Sequence, residues 1–363
     1  MEIKNRILLC LHLPPPTHGA SIVGEILVKN IKSSPFYEST IIKINTTYKL
    51  SGGRVIISVL RFVKLVLRTI VVLLRTRPEL IYVTPSSKGI AFVKDYFYVR
   101  CIAFFYDGPI LAHFHNKGVR ENTGRFSRIL YRHFFSRVTP ILLSSRLLDD
   151  LSDYLTAEDI QICANGLGTP TDEIPTRKTY DFLFLSNLIE EKGIWTFLEA
   201  CKMLRNSGCV FTAAVVGAEA DVEIRVLKDF VVNEGLVDVV HILGPQYGAD
   251  KRRVFEQSRT FVFPSYYHYE CMPLAVLEAM SFGLAIVSTR EGALEDLVEN
   301  GINGLIVKRR NIEDLFEKLA FLLSNEKALL LMQESSRVKY SRDFTEQAFV
   351  NRMDHIFRAA IKS

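Results

Sequence analysis

Between Pro264 and Gly283 the chain reads PSYYHYECMPLAVLEAMSFG, and two carboxylates, Glu270 and Glu278, stand with seven residues between them around the expected start of a helix. Phe261, Val262 and Phe263 form a short apolar run ending at Pro264 and Ser265, the pattern of a buried parallel strand that runs out into a loop. Leu274 to Phe282 carries helical spacing, and Pro273 is tolerated in the first turn because its missing N–H has no partner to lose there. Glu270 therefore belongs to the loop at the carboxyl end of the strand, and Glu278 to the helix, about one turn inside it. Backbone N–H groups around Cys271 and Met272 point with the positive end of the helix dipole, which suits a diphosphate. A carboxylate on either side of such an anion site can accept hydrogen bonds from sugar hydroxyls, so these residues fit a nucleotide sugar. Taken alone, two glutamates at this spacing are more often a solvated pair flanking an ordinary strand, loop and helix.

The segment closely resembles the donor-site signature of the retaining glycosyltransferases of family 4. Glu270, Pro273, Leu277, Glu278, Ala279 and Gly283 match that pattern, while Cys271 stands where glycine is usual. Downstream, Ile286 to Thr289, Gly292, Glu295 and Asn303 to Val307 follow the family's order, with Glu291 in place of one of its paired glycines. The resemblance implies an α/β protein of GT-B architecture, with two Rossmann-like domains facing across a cleft and a last helix crossing back to the first. It also implies retaining transfer of a sugar from a nucleoside-diphosphate donor to a hydroxyl of a saccharide or lipid-linked saccharide, in bacterial-type polysaccharide or glycolipid biosynthesis. The nucleotide sugar is then a co-substrate, and no cofactor is expected. On the same basis Glu270 contacts hydroxyls of the donor sugar and Glu278 those of the ribose. Phe182 to Gly193 resembles the phosphate-clamping loop, in which Lys192 and Gly193 match and Asn187 replaces the usual arginine, so a charge and a bidentate fork are lost. Either Lys192 with the backbone meets the diphosphate, or Arg120, Lys117 or another basic residue substitutes, or activity is reduced. Gly217 and Gly244 end two strands near the expected nucleobase position, and both are equally compatible with plain turns. Two other readings remain at this point: a GT-B nucleotide-sugar epimerase, and a catalytically silent, membrane-associated scaffold.

In the first half of the chain, LAHFHNKG at 111–118 ends a candidate strand, and period-two alternation puts His113 and His115 on one side. Open α/β sheets bind ligands at this end of their strands. His115 fits the family's functional histidine, facing the donor sugar, and His113, one pleat deeper, reads as a core residue. After the first strand, Pro14 to Ser21 forms a rigid turn that delivers Gly19 and the amides of Ala20 and Ser21 to a helix start. It is no Gly-x-Gly-x-x-Gly fingerprint, and no acidic residue follows the second strand at Ile44 and Asn45, which argues against a nicotinamide dehydrogenase. No Asp-x-Asp and no histidine pair at ligand spacing points to a metal, so metal-independent chemistry is expected.

The elements that must position these residues alternate regularly. Candidate strands are Arg6 to His12, Thr40 to Ile44, Leu80 to Val83, Ile110 to Phe114, Pro140 to Leu143 and Gln161 to Cys163, then Asp181 to Leu185, Thr212 to Val216, Val239 to Leu243, Thr260 to Phe263 and Ala285 to Ser288. Helix-length segments separate them, the signature of βα units in a parallel sheet. A Gly-, Pro- and Thr-rich stretch from Gly166 to Lys178 reads as a linker, dividing an acceptor domain at 1–168 from a donor domain at 178–344, with the returning helix at about 345–363. The 363 residues suffice for two such cores. Six scattered cysteines without a Cys-x-x-Cys, an N-terminal apolar stretch cut short by prolines, and no uncharged span predict a cytoplasmic protein. One segment adds to this: from Arg54 to Arg77, Arg54, Arg61, Arg68 and Arg75 recur every seventh residue with Lys64 beside them, and nearly everything else is aliphatic. A helix with a cationic stripe and so wide an apolar arc is expected to lie on an anionic membrane surface, peripheral at the inner face of the cell membrane, the other reading being a helix fully sandwiched in the domain. A second basic, aromatic helix is expected near Arg120 to Arg137, and the net charge of +5 points the same way. No nucleic-acid reader motif is present.

Overall fold

The computed structural model describes residues 4–44, 54–122, 124–170 and 178–362. Asn45 and the 171–177 part of the expected linker lie outside them. The chain divides into two compact units, Met1–Asn165 with Gln347–Ser363, and Gly166–Glu346. In the first, β1 (Asn5–Leu11), α1 (Gly19–Ser33), β2 (Tyr37–Lys43), α2 (Arg54–Thr76), β3 (Leu80–Val83), α3 (Gly89–Phe104), β4 (Ile110–His113), α4 (Arg125–Phe135), β5 (Thr139–Leu142) and β6 (Gln161–Ile162) follow one another. Their six strands are all parallel in the order β2-β1-β3-β4-β5-β6. The helix expected after α2 near Arg120 is preceded by α3, and itself begins at Arg125.

The second unit repeats the scheme with β7 (Tyr180–Leu185), α5 (Ile194–Asn206), β8 (Ala213–Val216), α6 (Ile224–Asn233), β9 (Val240–Gly244), α7 (Gly248–Glu256), β10 (Ser258–Phe263), α8 (Leu274–Ser281), β11 (Ala285–Ser288), α9 (Leu294–Leu297), β12 (Gly304–Ile306), α10 (Ile312–Ser324) and α11 (Glu326–Asp343). The order β12-β11-β10-β7-β8-β9 is again parallel throughout. The last helix, α12 (Glu346–Lys362), packs in the first unit: the Phe357 ring sits 5.8 Å from that of Tyr82, and Tyr37 donates to Asp354 at 2.7 Å.

Continuous apolar runs such as FLFL in β7 and TFVF in β10 are buried on both faces, as helices on each side of a parallel sheet require. Parallel connections are right-handed, so a strand added to the left and a strand added to the right put their helices on opposite faces. Chain direction reverses once in each sheet: between β1 and β3, and between β7 and β10. Those two reversals are the topological switch points, where loops on either side diverge and leave a crevice at the carboxyl ends of the strands. Around them the core is aromatic; in the second unit Phe184 on β7 stacks on Phe197 of α5 at 5.8 Å, and neither has exposed surface. Replacing Phe197 with Ala is expected to cost about 3–5 kcal/mol, lowering the melting midpoint of the second unit by roughly 10 °C. Calorimetry would show the loss confined to one transition if the two units melt as separate cores, and a joint shift would reject that.

Candidate functional site

The switch point of the second sheet is where the sequence-predicted donor residues meet. The chain leaves β7 through Asn187, which is exposed, and turns through a short helical stretch at Glu190–Lys192 into α5. Gly193 makes the bend with φ of 87°, and a Cβ there would stand 2.4 Å from the carbonyl oxygen of Pro264, the first residue after β10. Only glycine combines that backbone angle with that approach. The close packing brings Lys192 to the β10 loop, where its ammonium pairs with Glu270 and lies 4.5 Å from the Tyr267 ring centroid. Tyr266 N–H donates to the Glu191 carbonyl at 2.8 Å, fastening one loop to the other.

Glu270 is 7% exposed, so it is no solvated glutamate; its charge is balanced by Lys192 inside the protein. Cys271 and Met272 are buried beside it, and Pro273 caps α8 from outside the helix, rather than filling its first turn. Glu278 lies one turn along α8 and takes both contacts from Lys251 of α7, at 2.8 and 2.6 Å. The loop after β11 closes the back: Ala293 N–H donates to the Cys271 carbonyl at 2.7 Å, and Glu291, at the position where a glycine was expected, is buried and paired with Arg309 at 2.6 Å. The result is two lysine–glutamate pairs beside the N-termini of α5 and α8, whose dipoles favour an anion. An entering diphosphate can take over Lys192 and release the Glu270 carboxylate to accept hydroxyl hydrogen bonds.

Gly217 and Gly244 prove to have packing reasons. Gly217 donates to the Gly244 carbonyl at 3.1 Å, and a Cβ on it would fall 1.9 Å from the Ser186 carbonyl oxygen, while Gly244 has φ of 67° at an irregularity in the β8–β9 register.

In the first unit the corresponding switch point gathers four histidines. His12 follows β1 directly and its backbone N–H and Nδ1 both reach Thr84 Oγ1, at 3.2 and 3.0 Å, closing the gap between the loops after β1 and β3. His18 caps α1: its Nδ1 accepts from Ser21 N–H at 3.3 Å, and Ser21 Oγ accepts from His18 N–H at 2.9 Å. Of the amides expected at this helix start, that of Ser21 is therefore taken by the cap, and Gly19 stands exposed at its first position. His113 is buried with Nδ1 2.8 Å from the Tyr82 hydroxyl, a core residue. The His115 ring centroid lies 4.3 Å from it, the two rings tilted by 37°, and both its nitrogens are sealed from solvent with no hydrogen-bond partner among the described residues. Burial pushes His115 well below its ordinary protonation range, and nearby His113, His12 and His18 add to this. Arg120 is tied to Asp149. Sequence reasoning missed His12, His18 and Lys251. His12 could have been found by asking what stands at the end of every strand, whereas nothing local marks Lys251. Among the described residues no group of three or more His, Cys, Asp or Glu is placed to hold a metal ion.

Residues 172–339 match the family model for glycosyl transferases group 1. The chain is 26% identical over 168 residues to the amylovoran biosynthesis glycosyltransferase of Erwinia amylovora, a stretch covering 45% of this chain and 41% of that protein. It is 29% identical over 180 residues to the N,N'-diacetylbacillosaminyl-diphospho-undecaprenol alpha-1,3-N-acetylgalactosaminyltransferase of Campylobacter jejuni, covering 48% and 45%. In both cases the chain spans less than half the length of the relative. Among solved structures it is similar to a glycosyltransferase of Rickettsia africae, with a TM-score of 0.76 at 16% identity over 99% of each chain. It is also similar to an Anabaena protein solved in complex with UDP, with a TM-score of 0.74 at 16% identity over 98% of this chain and 100% of that one. The fold is GT-B, built from two parallel six-stranded sheets.

Burial lowers His12 to about 4 and His113 to about 3, from an ordinary value of 6.5. The unfolded chain then binds more protons than the folded one below pH 6.5, so these groups withdraw stability from the first unit as the pH falls. The loss is expected to continue to about pH 4 for His12 and about pH 3 for His113 and then level off. Melting curves of the wild type and His12→Asn across that range test it: the variant should show a shallower decline, and an unchanged slope would assign the effect to other groups.

Proposed function

We propose that this chain is a retaining glycosyltransferase that moves a sugar from a nucleoside diphosphate to a hydroxyl of a saccharide or lipid-linked saccharide, in polysaccharide or glycolipid assembly. The observation that carries it is the Lys192–Glu270 pair at the switch point of the second sheet, beside two helix N-termini. The group 1 match over 172–339 and two of its relatives, one an amylovoran biosynthesis glycosyltransferase and one acting on a diphospho-undecaprenol-linked sugar, support the same reading. In this reading the donor belongs to the 178–344 domain and the acceptor to the 1–168 domain with its returning helix. A peripheral position at the membrane, through Arg54, Arg61, Lys64, Arg68 and Arg75 of α2, suits an acceptor carried on a lipid.

In this mechanism Lys192 holds the diphosphate, Glu278 the ribose hydroxyls and Glu270 the hydroxyls of the transferred sugar. His115, kept neutral by burial, offers a hydrogen bond without a competing charge. The backbone at Cys271, Met272 and Pro273, with Asn187, lines the phosphate path, and the backbone of Gly217 and Gly244 meets the base. The anomeric carbon–oxygen bond to the phosphate breaks as the acceptor oxygen bonds to the same face, and the departing phosphate oxygen takes the acceptor's proton. Charge on the leaving group is met by the ammonium and backbone N–H groups, without a metal. The carboxylates bind and do not act as the acid–base pair of a hydrolase.

The test is nucleoside-diphosphate release from UDP-, GDP- and dTDP-sugars, with lipid-linked and soluble saccharide acceptors and EDTA present. Release from one donor is expected, reduced about 100-fold or more in Glu270→Ala and Lys192→Met. Glu278→Ala should raise the donor KM by about 10- to 100-fold, through loss of a charge-assisted hydrogen bond. Loss of all turnover in EDTA would overturn the metal-free mechanism, and an isomerised donor sugar without any acceptor would mark an epimerase.

A further inference from the structure

Helix α2 is apolar on two sides, one facing the unit and one facing outward. Its inner side has Ser58, Thr69 and Leu73 buried and Phe62, Leu65 and Val66 half-buried, and Thr69 Oγ1 is satisfied by the Leu65 carbonyl and the Tyr98 hydroxyl, both at 2.9 Å. A second set of aliphatic residues points away from the unit: Ile56, Leu60, Val63, Leu67, Val71 and Leu74 are each 45–69% exposed. Their spacing of three and four makes one straight outer stripe at 3.6 residues per turn. Arg61, Lys64, Arg68 and Arg75 are all exposed and, at about 100° per residue, fall together along one flank of that stripe. The helix thus has three sectors, one against the sheet, one apolar and outward, and one cationic between them.

The neighbouring helices extend the surface. The steps from β2 to β3, β4 and β5 all run in one direction across the sheet, so right-handed connections put α2, α3 and α4 on the same face. Thr69 bonds α2 to α3, and the Tyr96 hydroxyl of α3 lies 2.7 Å from His133 Nδ1 of α4. On α3, Phe104 is 82% exposed, and on α4 Phe126 and Ile129 are each 65% exposed beside exposed Arg125, Arg128 and Arg132. Neither α2 nor α4 contains an Asp or Glu. No helix among the described residues is long and apolar enough to cross a membrane.

We propose that the outer face of α2, α3 and α4 docks on an anionic lipid bilayer, with the α2 stripe, Phe104 and Phe126 seated at the headgroup–acyl boundary and the arginines and lysines on the lipid phosphates. An aliphatic stripe left exposed along the outer side of a helix and flanked by a row of cations is the arrangement of a helix that lies in a membrane interface. The cationic flank selects the occupant: in a two-fold contact between copies of this chain the row would face itself, whereas an anionic headgroup layer complements it. The surface follows from these helices alone and does not depend on the transfer reaction.

Co-sedimentation of the full chain with vesicles tests the proposal. Binding to phosphatidylethanolamine–phosphatidylglycerol vesicles is expected, with little to phosphatidylcholine alone. Arg61→Gln/Lys64→Gln/Arg68→Gln should weaken it about 100-fold, since each cation near an anionic surface contributes about fivefold. Leu60→Ser/Leu67→Ser should weaken it at least about 30-fold while leaving the cationic row intact. Both variants should keep the wild-type melting midpoint and the wild-type release of nucleoside diphosphate with a soluble acceptor, so that failure of docking and failure of the transferase reading are told apart. Equal binding to neutral and anionic vesicles, no binding, or a dimer in lipid-free solution that Leu60→Ser/Leu67→Ser dissociates would each overturn the bilayer as occupant.

Discussion

The second unit depends on one constraint, the reversal of strand order between β7 and β10. Adjacent strands that send their helices to opposite faces leave a gap above their carboxyl ends, and the two loops bordering it must be held together without filling it. Gly193 against Pro264 supplies the contact, and the Lys192–Glu270 pair spans it. A buried ion pair is a poor source of stability, because both charges are desolvated. Its presence here suits a site in which an anionic ligand replaces one partner and hydroxyl groups engage the other.

The first unit meets the same constraint with neutral groups. His12 and Thr84 bridge the gap between the β1 and β3 loops, and the His113 and His115 rings meet at a tilt at the end of β4. Burial keeps these imidazoles uncharged. One unit thus presents a charged pair at its switch point and the other presents uncharged imidazoles. Away from these sites, α2 carries apolar residues on its outer side as well as its inner one, and the outer stripe is where the fold meets its surroundings.

Much of the fold was legible in the sequence because parallel strands buried on both faces read as unbroken apolar runs. Every candidate strand is present, with ends displaced by no more than a few residues. Leu80–Val83 and Ala285–Ser288 are unchanged, whereas β2 begins earlier, at Tyr37. The strand that escaped notice, β12, has three residues and starts with Gly304, where the Ile286 backbone approaches too closely for a side chain. Its strand character comes from its neighbour rather than from its own propensity.

The sequence by itself determined the alternation of strands and helices, the loop positions of Glu270 and Lys192, and the cationic repeat of α2, because each is encoded in spacing along the chain. Tertiary structure alone decided that Lys192 meets Glu270 across 78 positions and that Lys251 meets Glu278 across 27. It also decided that His12 and His18 join the His115 neighbourhood, and that the wide apolar arc of α2 splits into a buried half and an exposed half. Those pairings follow from strand order, and strand order is set by which apolar faces pack together, a property of the whole sheet that no local stretch of residues records.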